Sequence, residues 1–252
     1  MMTTLKLSCL AFMTLIGCAH AQTCREVIHA TLAYTVCEAP AEADLRLWLT
    51  GPDGRPMGTF DRVREQLESA GHTLAFAMNA GMYHPDRAPV GLYIEDRQQN
   101  TPVVTSAGPG NFGMLPNGVF CITDTGFGVP ETVGFTENPP DCRYARQSGP
   151  MLVIEGDLHP RFLPDATSRF VRNGVGVSAN GETAWFAISA QPVTFHEFAG
   201  LFRDALGAPN ALYFDGRVSR LYAPELERDD TGFPMGPIVG LVVPVDDEAA
   251  LR

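Results

Sequence analysis

The sequence predicts an α+β protein: a single domain with a mixed, mostly antiparallel β-sheet, few helices, and loops at the strand ends forming a polar cleft. Three observations predict it. Short strand patterns follow one another along most of the chain, only two segments carry clear helical periodicity, and the regular strand–helix alternation of a doubly wound sheet is missing. The 252 residues are 45% hydrophobic and 19% charged, a globular mix, and no internal repeat, low-complexity tract or linker divides them.

Residues 27–36 and 44–49 read as strands, the second alternating Leu45, Leu47 and Leu49 against Arg46 and Trp48. Gly51-Pro52-Asp53-Gly54 is a turn. From Thr59 to Ala70, the residues Phe60, Val63 and Leu67 recur at helical spacing, with Gly71 as the stop. The apolar run 74–78 is a buried strand that delivers Asn79-Ala80-Gly81-Met82-Tyr83 to its end. Strands follow at 90–94 and 122–129, separated by a stretch, 108–118, too rich in Gly, Pro and Asn for regular structure. Further strands are expected at 151–154, 174–177 and 183–189. The clearest helix is 194–206, with Phe195, Phe198, Leu201, Phe202 and Leu206 on one face and Thr194 as its N-cap. Strands at 211–214 and 238–243 complete the reading.

The N-terminus has one positive charge at Lys6, an apolar run over 7–16 and the small-residue sequence Ala19-His20-Ala21. This is the layout of a secretory signal, so residues 1–21 are expected to be a signal peptide and 22–252 the domain; the apolar run is too short to span a bilayer. The protein is expected to be exported, periplasmic or secreted, with no transmembrane span after signal removal. Leu15-Ile16-Gly17-Cys18 resembles a lipobox, so a lipoprotein anchored at Cys18 is the alternative. Cys24, Cys37, Cys121 and Cys142 remain, and an even number in an exported chain points to disulfides. The nearest pairing, Cys24 with Cys37 and Cys121 with Cys142, closes two short local loops.

The formal charge is -11, from 18 basic and 29 acidic residues. A general nucleic-acid binder needs a basic footprint to displace counterions from phosphates, so nucleic acid is excluded as a partner. Lys6 is the only lysine, which leaves arginine as the sole basic side chain of the mature protein besides histidine. Arginine presents a planar fork suited to phosphate or carboxylate.

Five segments share one design, a short apolar strand ending in Gly, Asn, Ser, Asp or Arg: 79–83, 111–120, 146–150, 172–176 and 215–222. Strand-end loops are where rigid scaffolds present functional groups, and glycine lets backbone approach a ligand. These segments also carry a resemblance. Asn-Ala-Gly-Met-Tyr at 79–83, Gly-Asn-Phe with Pro-Asn-Gly-Val-Phe at 110–120, Gln-Ser-Gly-Pro-Met-Leu at 147–152, Arg-Asn-Gly-Val-Gly-Val at 172–177, and Ala-Leu-Tyr-Phe-Asp-Gly with Ser-Arg-Leu-Tyr at 211–222 resemble the phosphodiester glycosidase family. They lie closest to its compact, exported bacterial branch. The resemblance implies hydrolysis between a sugar anomeric carbon and a phosphodiester, on a small carbohydrate or glycan substrate. One departure stands out. Lysosomal-type members carry Asp-Gly-Gly-Gly-Ser where this chain has Asp215-Gly216-Arg217-Val218-Ser219.

Cleaving a glycosyl phosphate needs a carboxylate to stabilise or attack an oxocarbenium-like centre, while the departing phosphate needs charge neutralisation more than a proton. Asp215 is the candidate carboxylate and Arg172 the candidate phosphate clamp. Glu155, after the 151–154 strand, is a candidate second carboxylate, and His84 a candidate acid or base. The expected substrate-binding set is Asn79, Gly81, Tyr83, Asn111, Asn117, Ser148, Gly149, Asn173, Gly216 and Ser219. His159 and His196 read as structural. There is no Gly-x-Ser-x-Gly elbow, P-loop, His-Glu-x-x-His or helix-loop-helix calcium motif. No cofactor is predicted; calcium remains open, because no ligand spacing marks a site for it. The expected function is an exported hydrolase releasing a sugar from a glycosyl phosphodiester or related envelope glycan. The alternative is a non-catalytic carbohydrate- or phosphate-binding protein in which Arg217 and Val218 close the pocket.

Overall fold

The computed structural model describes residues 23–245. The signal segment and Cys18 lie outside that range. In chain order the strands are β1 (Cys24–His29), β2 (Leu32–Pro40), β3 (Asp44–Trp48), β4 (His72–Asn79), β5 (Tyr93–Glu95), β6 (Gln98–Thr101), β7 (Gly118–Ile122), β8 (Phe127–Gly128), β9 (Tyr144–Ser148), β10 (Met151–Ile154), β11 (Asp157–Leu158), β12 (Asn173–Val177), β13 (Thr183–Ser189), β14 (Asn210–Asp215), β15 (Leu221–Ala223), β16 (Arg228–Asp229) and β17 (Ile238–Pro244). The α-helices are α1 (Phe60–Glu68), α2 (Thr132–Glu137) and α3 (Phe195–Gly200), the last continuing into a π-helical turn over Leu201–Ala205.

The strands divide among three antiparallel sheets. The first has the order β1-β2-β13-β12-β14-β10-β11, the second β16-β15-β4-β17-β3, and the third β6-β5-β9-β7-β8. Their inner faces meet in one core, where Phe76 of the second sheet lies 5.3 Å from Phe186 of the first, and Phe120 of the third lies 5.6 Å from Phe186. Each of these rings removes roughly 2–3 kcal/mol worth of apolar surface from water.

Two helices cover outer faces, and local sequence explains both. Thr59 caps α1 by accepting from the Arg62 N–H, and Phe60, Val63 and Leu67 pack onto the second sheet. Thr194 and Glu197 form a reciprocal capping box at the start of α3. On β12, Gly174 and Gly176 share one face, and a Cβ on Gly176 would stand 2.6 Å from the Phe202 ring. These glycines are gaps that admit Phe198 and Phe202, so in 172–177 glycine serves helix packing rather than ligand approach.

Two expected strands are hairpins instead. Residues 27–36 fold back at Ala30-Thr31, both with positive φ, and residues 122–129 turn between β7 and β8. A two-residue turn of this kind usually carries Asn or Gly, and Ala-Thr gives no such signal. The β1–β2 hairpin places Cys24 directly opposite Cys37, and that disulfide forms, as does Cys121–Cys142. The segment 146–150, expected as a polar loop, begins as the buried strand β9.

Candidate functional site

A cleft of about 720 Å³ opens where the ends of the three sheets converge. Met82, Tyr83 and Val90 come from the loop after β4. Asn111 and Phe112 come from the loop before β7, Phe170 from the approach to β12, and Asp215, Gly216, Arg217 and Val218 from the turn after β14. The sheet framework thus brings together residues more than a hundred positions apart.

Asp215 ends β14 because its own carboxylate turns the chain. Its Oδ1 accepts the N–H groups of Gly216 at 2.6 Å and Arg217 at 2.8 Å, an arrangement that leaves Oδ2 outside both bonds. Burial pushes the carboxyl above the usual aspartate range, while those backbone donors pull the other way. Among the residues lining the cleft, Asp215 is the one carboxylate. Beside it, burial holds the Tyr213 hydroxyl well above the usual phenol range, so it stays protonated. Gly216 is required for that pairing, since a Cβ there would fall 2.3 Å from the Tyr213 hydroxyl oxygen.

Behind Asp215 lies a buried amide network. The Asn173 side chain donates to the Asn79 carbonyl at 2.8 Å and to Asn79 Oδ1 at 3.1 Å, and its Oδ1 accepts the Asp215 N–H at 3.1 Å. Asn79 Oδ1 also accepts the Arg220 N–H at 2.9 Å. The Ser219 hydroxyl stands 2.9 Å from the Val171 carbonyl and 3.0 Å from that of Asp215. Asn79, Asn173 and Ser219 therefore tie β4, β12 and the 215–220 turn together, with their polar atoms engaged by protein rather than turned to the cleft.

The structure separates the other expected residues. Tyr83, Asn111 and Gly216 line the cleft with Asp215. Gly81 has a φ of 95° and backs onto the Arg146 guanidinium. Ser148 and Gly149 are buried beneath the floor, Ser148 donating to the Phe214 carbonyl. Asn117 is buried and donates to the Phe112 carbonyl at 3.0 Å, which anchors the 108–117 loop. Glu155 is not brought to the site. It is exposed at the β10–β11 turn, where its N–H donates to Asn210 at the opposite end of β14 from Asp215. His84 is exposed in the turn that leads away from Tyr83 and does not line the cleft.

Arg172 is placed behind the cleft as well. Its Nε donates to the Val193 carbonyl at 2.9 Å, its Nη2 to the Ser168 carbonyl at 3.2 Å and its Nη1 to the Tyr213 hydroxyl at 3.4 Å. The guanidinium stacks 3.7 Å over the Phe195 ring. Each of its three nitrogens thus donates to a protein group, and the side chain buttresses Tyr213 from behind rather than lining the cleft.

Arg146, a residue that motif reasoning passed over, is with Arg172 the largest fully buried side chain among the described residues. It is fully buried on β9 and donates to the carbonyls of Ala80 at 2.7 Å and Val90 at 2.9 Å, and to that of Met82. One side chain thus clamps both ends of the loop that carries Tyr83. Burial drives its guanidinium down to about 9. The available signal was the strand pattern around Arg146, Tyr144 to Ser148, which polar composition masked.

An antiparallel β scaffold thus gathers one carboxylate, two tyrosines and an arginine in a cleft large enough for a small ligand. The chain belongs to the phosphodiester glycosidase family, whose model matches residues 72–232. It is 35% identical over 190 residues to "Uncharacterized protein YigE" of Escherichia coli (strain K12), covering 75% of this chain and 73% of that protein. Its fold is similar to that of the zebrafish N-acetylglucosamine-1-phosphodiester alpha-N-acetylglucosaminidase catalytic domain auto-inhibited by pro-peptide, with a TM-score of 0.59 over 86% of this chain and 81% of that one. At 13% identity that likeness is one of fold. No described helix is long and apolar enough to cross a membrane.

Proposed function

We propose that this protein is an exported hydrolase that releases a sugar from a glycosyl phosphodiester or a related envelope glycan, with Asp215 as its catalytic carboxylate. The observation that carries the reading is the placement of Asp215: a single carboxylate in the cleft, its Oδ1 held by the N–H groups of Gly216 and Arg217. In the reaction the bond between the anomeric carbon and the phosphate oxygen breaks and water supplies the new hydroxyl. Asp215 faces the positive charge that develops on the sugar. A phosphate leaves as an anion, so a single cleft carboxylate suffices where an ordinary glycoside needs a second one as acid. The exposed ring of Phe170, with Phe112 and Tyr83, supplies apolar walls for a sugar face, and Asn111 and the tyrosine hydroxyls supply partners for its hydroxyls. Arg217 and Val218 line the cleft and leave it open, which supports the enzyme over the non-catalytic alternative. Export rests on the signal-like residues 1–21 and accords with the two disulfides.

The test is turnover of an aryl alpha-N-acetylglucosaminyl phosphodiester and a panel of other sugar phosphodiesters by the mature protein. Asp215→Asn is expected to lower turnover by at least about 10³-fold while ligand binding persists. Sugar binding without turnover in wild type would favour the carbohydrate-binding reading instead.

A further inference from the structure

Nine of the described arginines hold an Asp or Glu carboxylate within 4.0 Å, as expected in an acidic chain. Arg146 and Arg172 spend their donors on buried groups of the protein. Among the described residues Arg25, Arg87, Arg161, Arg217 and Arg220 pair with no carboxylate; Arg217 lines the Asp215 cleft, and Arg87 and Arg220 lie next to residues of it. Arg217 is exposed, lines the cleft next to Asp215, and its side chain makes no hydrogen bond. Arg87 lies 5.3 Å over the ring of Tyr83, itself a cleft residue. Arg220 follows the same turn, and its side chain donates one bond, to the Phe233 carbonyl at 2.7 Å. In a protein of charge -11, an unpaired Arg217 at the cleft wall, with Arg87 and Arg220 nearby, makes a local field opposite in sign to that of the whole molecule.

We propose that Arg217 is the phosphate-recognition residue of this chain, with Arg87 and Arg220 completing a cationic rim, so that the cleft selects sugars whose anomeric substituent is anionic. This rests on the reading of Asp215 as the carboxylate that meets the anomeric carbon. Arg217 leaves the turn two residues after Asp215, so a phosphate on that carbon comes within reach of a long side chain rooted beside the reacting centre. An arginine in place of a glycine supplies a donor fork where the glycine-rich turn offers backbone alone. The recognition is thereby built into the turn that orients the carboxylate.

The experiment measures equilibrium binding of N-acetylglucosamine 1-phosphate and glucose 1-phosphate, beside the free sugars, to mature wild type, Arg217→Ala and Arg217→Lys. Arg217→Ala is expected to weaken the sugar phosphates at least tenfold, with free-sugar affinity unchanged, and Arg217→Lys to restore part of the loss. Affinity for the phosphates should fall as salt rises from about 20 to about 200 mM. Equal loss for phosphate and free sugar, no loss for either, or a wild type that binds no sugar phosphate would overturn the proposal. The Arg217 side chain supports no other group, so the variants are expected to melt with wild type, and thermal melting checks that they do. Arg217-dependent binding without any turnover would leave this inference standing while removing the hydrolase reading. Turnover of phosphodiesters undiminished in Arg217→Ala would remove the inference and leave the hydrolase.

Discussion

The region behind Asp215 and the region in front of it are built from the same residue types and do opposite things. Behind it, Asn79, Asn173, Ser219, Arg146 and Arg172 are buried or half-buried and spend their polar atoms on protein partners. In front of it, Tyr83, Asn111 and Arg217 line the cleft, and Arg217 is left without a protein partner. A satisfied buried amide or guanidinium holds backbone in place, because leaving any of its partners unmet in a low-dielectric interior is expensive. An unsatisfied group at a cleft wall is stabilised by water and is free to exchange that water for a ligand. The burial of the bonding atoms, and not the identity of the residue, separates scaffold from site.

Removing Arg146 should break the rear region most severely. Arg146→Ala strands the carbonyls of Ala80, Met82 and Val90 and is expected to destabilise by more than about 3 kcal/mol, read by urea unfolding. Unfolding midpoints within experimental scatter of wild type would show that the clamp is dispensable. Next comes Cys121→Ser with Cys142→Ser, which opens a bridge spanning 21 residues and is expected to lower stability by about 3 kcal/mol, with turnover surviving at temperatures where the protein stays folded. Asn173→Ala removes the acceptor for the Asp215 N–H and should cost about 1–3 kcal/mol, together with a fall in kcat larger than any change in KM. A KM-only effect would place Asn173 among the ligand contacts and blur the contrast between the two regions.

The smallest expected effect sharpens the comparison from the front. Burial raises the folded pKa of Asp215 above its unfolded value, so the group favours folding at low pH and loses that contribution as pH rises through the folded pKa. Asp215→Asn should therefore be slightly more stable than wild type at neutral pH, the gain kept small because backbone donors offset part of the burial penalty, with the difference vanishing in acid. The same shift places the acid limb of turnover above the pH at which an ordinary aspartate titrates. A melting-temperature difference that widened toward acid would reverse the sign of the argument.

Legibility followed locality. The Thr194 cap of α3, the stop of α1 at Gly71 and strands β10, β13, β14 and β17 could be read because each depends on neighbours a few residues away or on a simple apolar run, and the disulfide pairing because each bridge closes a short loop of 13 or 21 residues. The Ala30-Thr31 turn was illegible because neither residue advertises a left-handed conformation. Asp215 and Tyr83, which line the cleft, stood out in the sequence because a carboxylate or tyrosine after a buried strand is conspicuous. Arg172 read as a phosphate clamp and, in the alternative reading, Arg217 with Val218 as closing the pocket; the fold buries Arg172 beneath α3 and leaves Arg217 lining an open cleft.

The sequence by itself determined the α+β class, the antiparallel character, most element positions and the candidate carboxylate that lines the cleft, because backbone propensity, capping and apolar periodicity act over short spans. Only the tertiary structure decided how the strands divide into three sheets, which polar side chains face inward and which arginine is left free. Those outcomes depend on partners such as Asn79 and Asn173, or Arg146 and Val90, that lie 94 and 56 residues apart and meet only when the sheets close on one another.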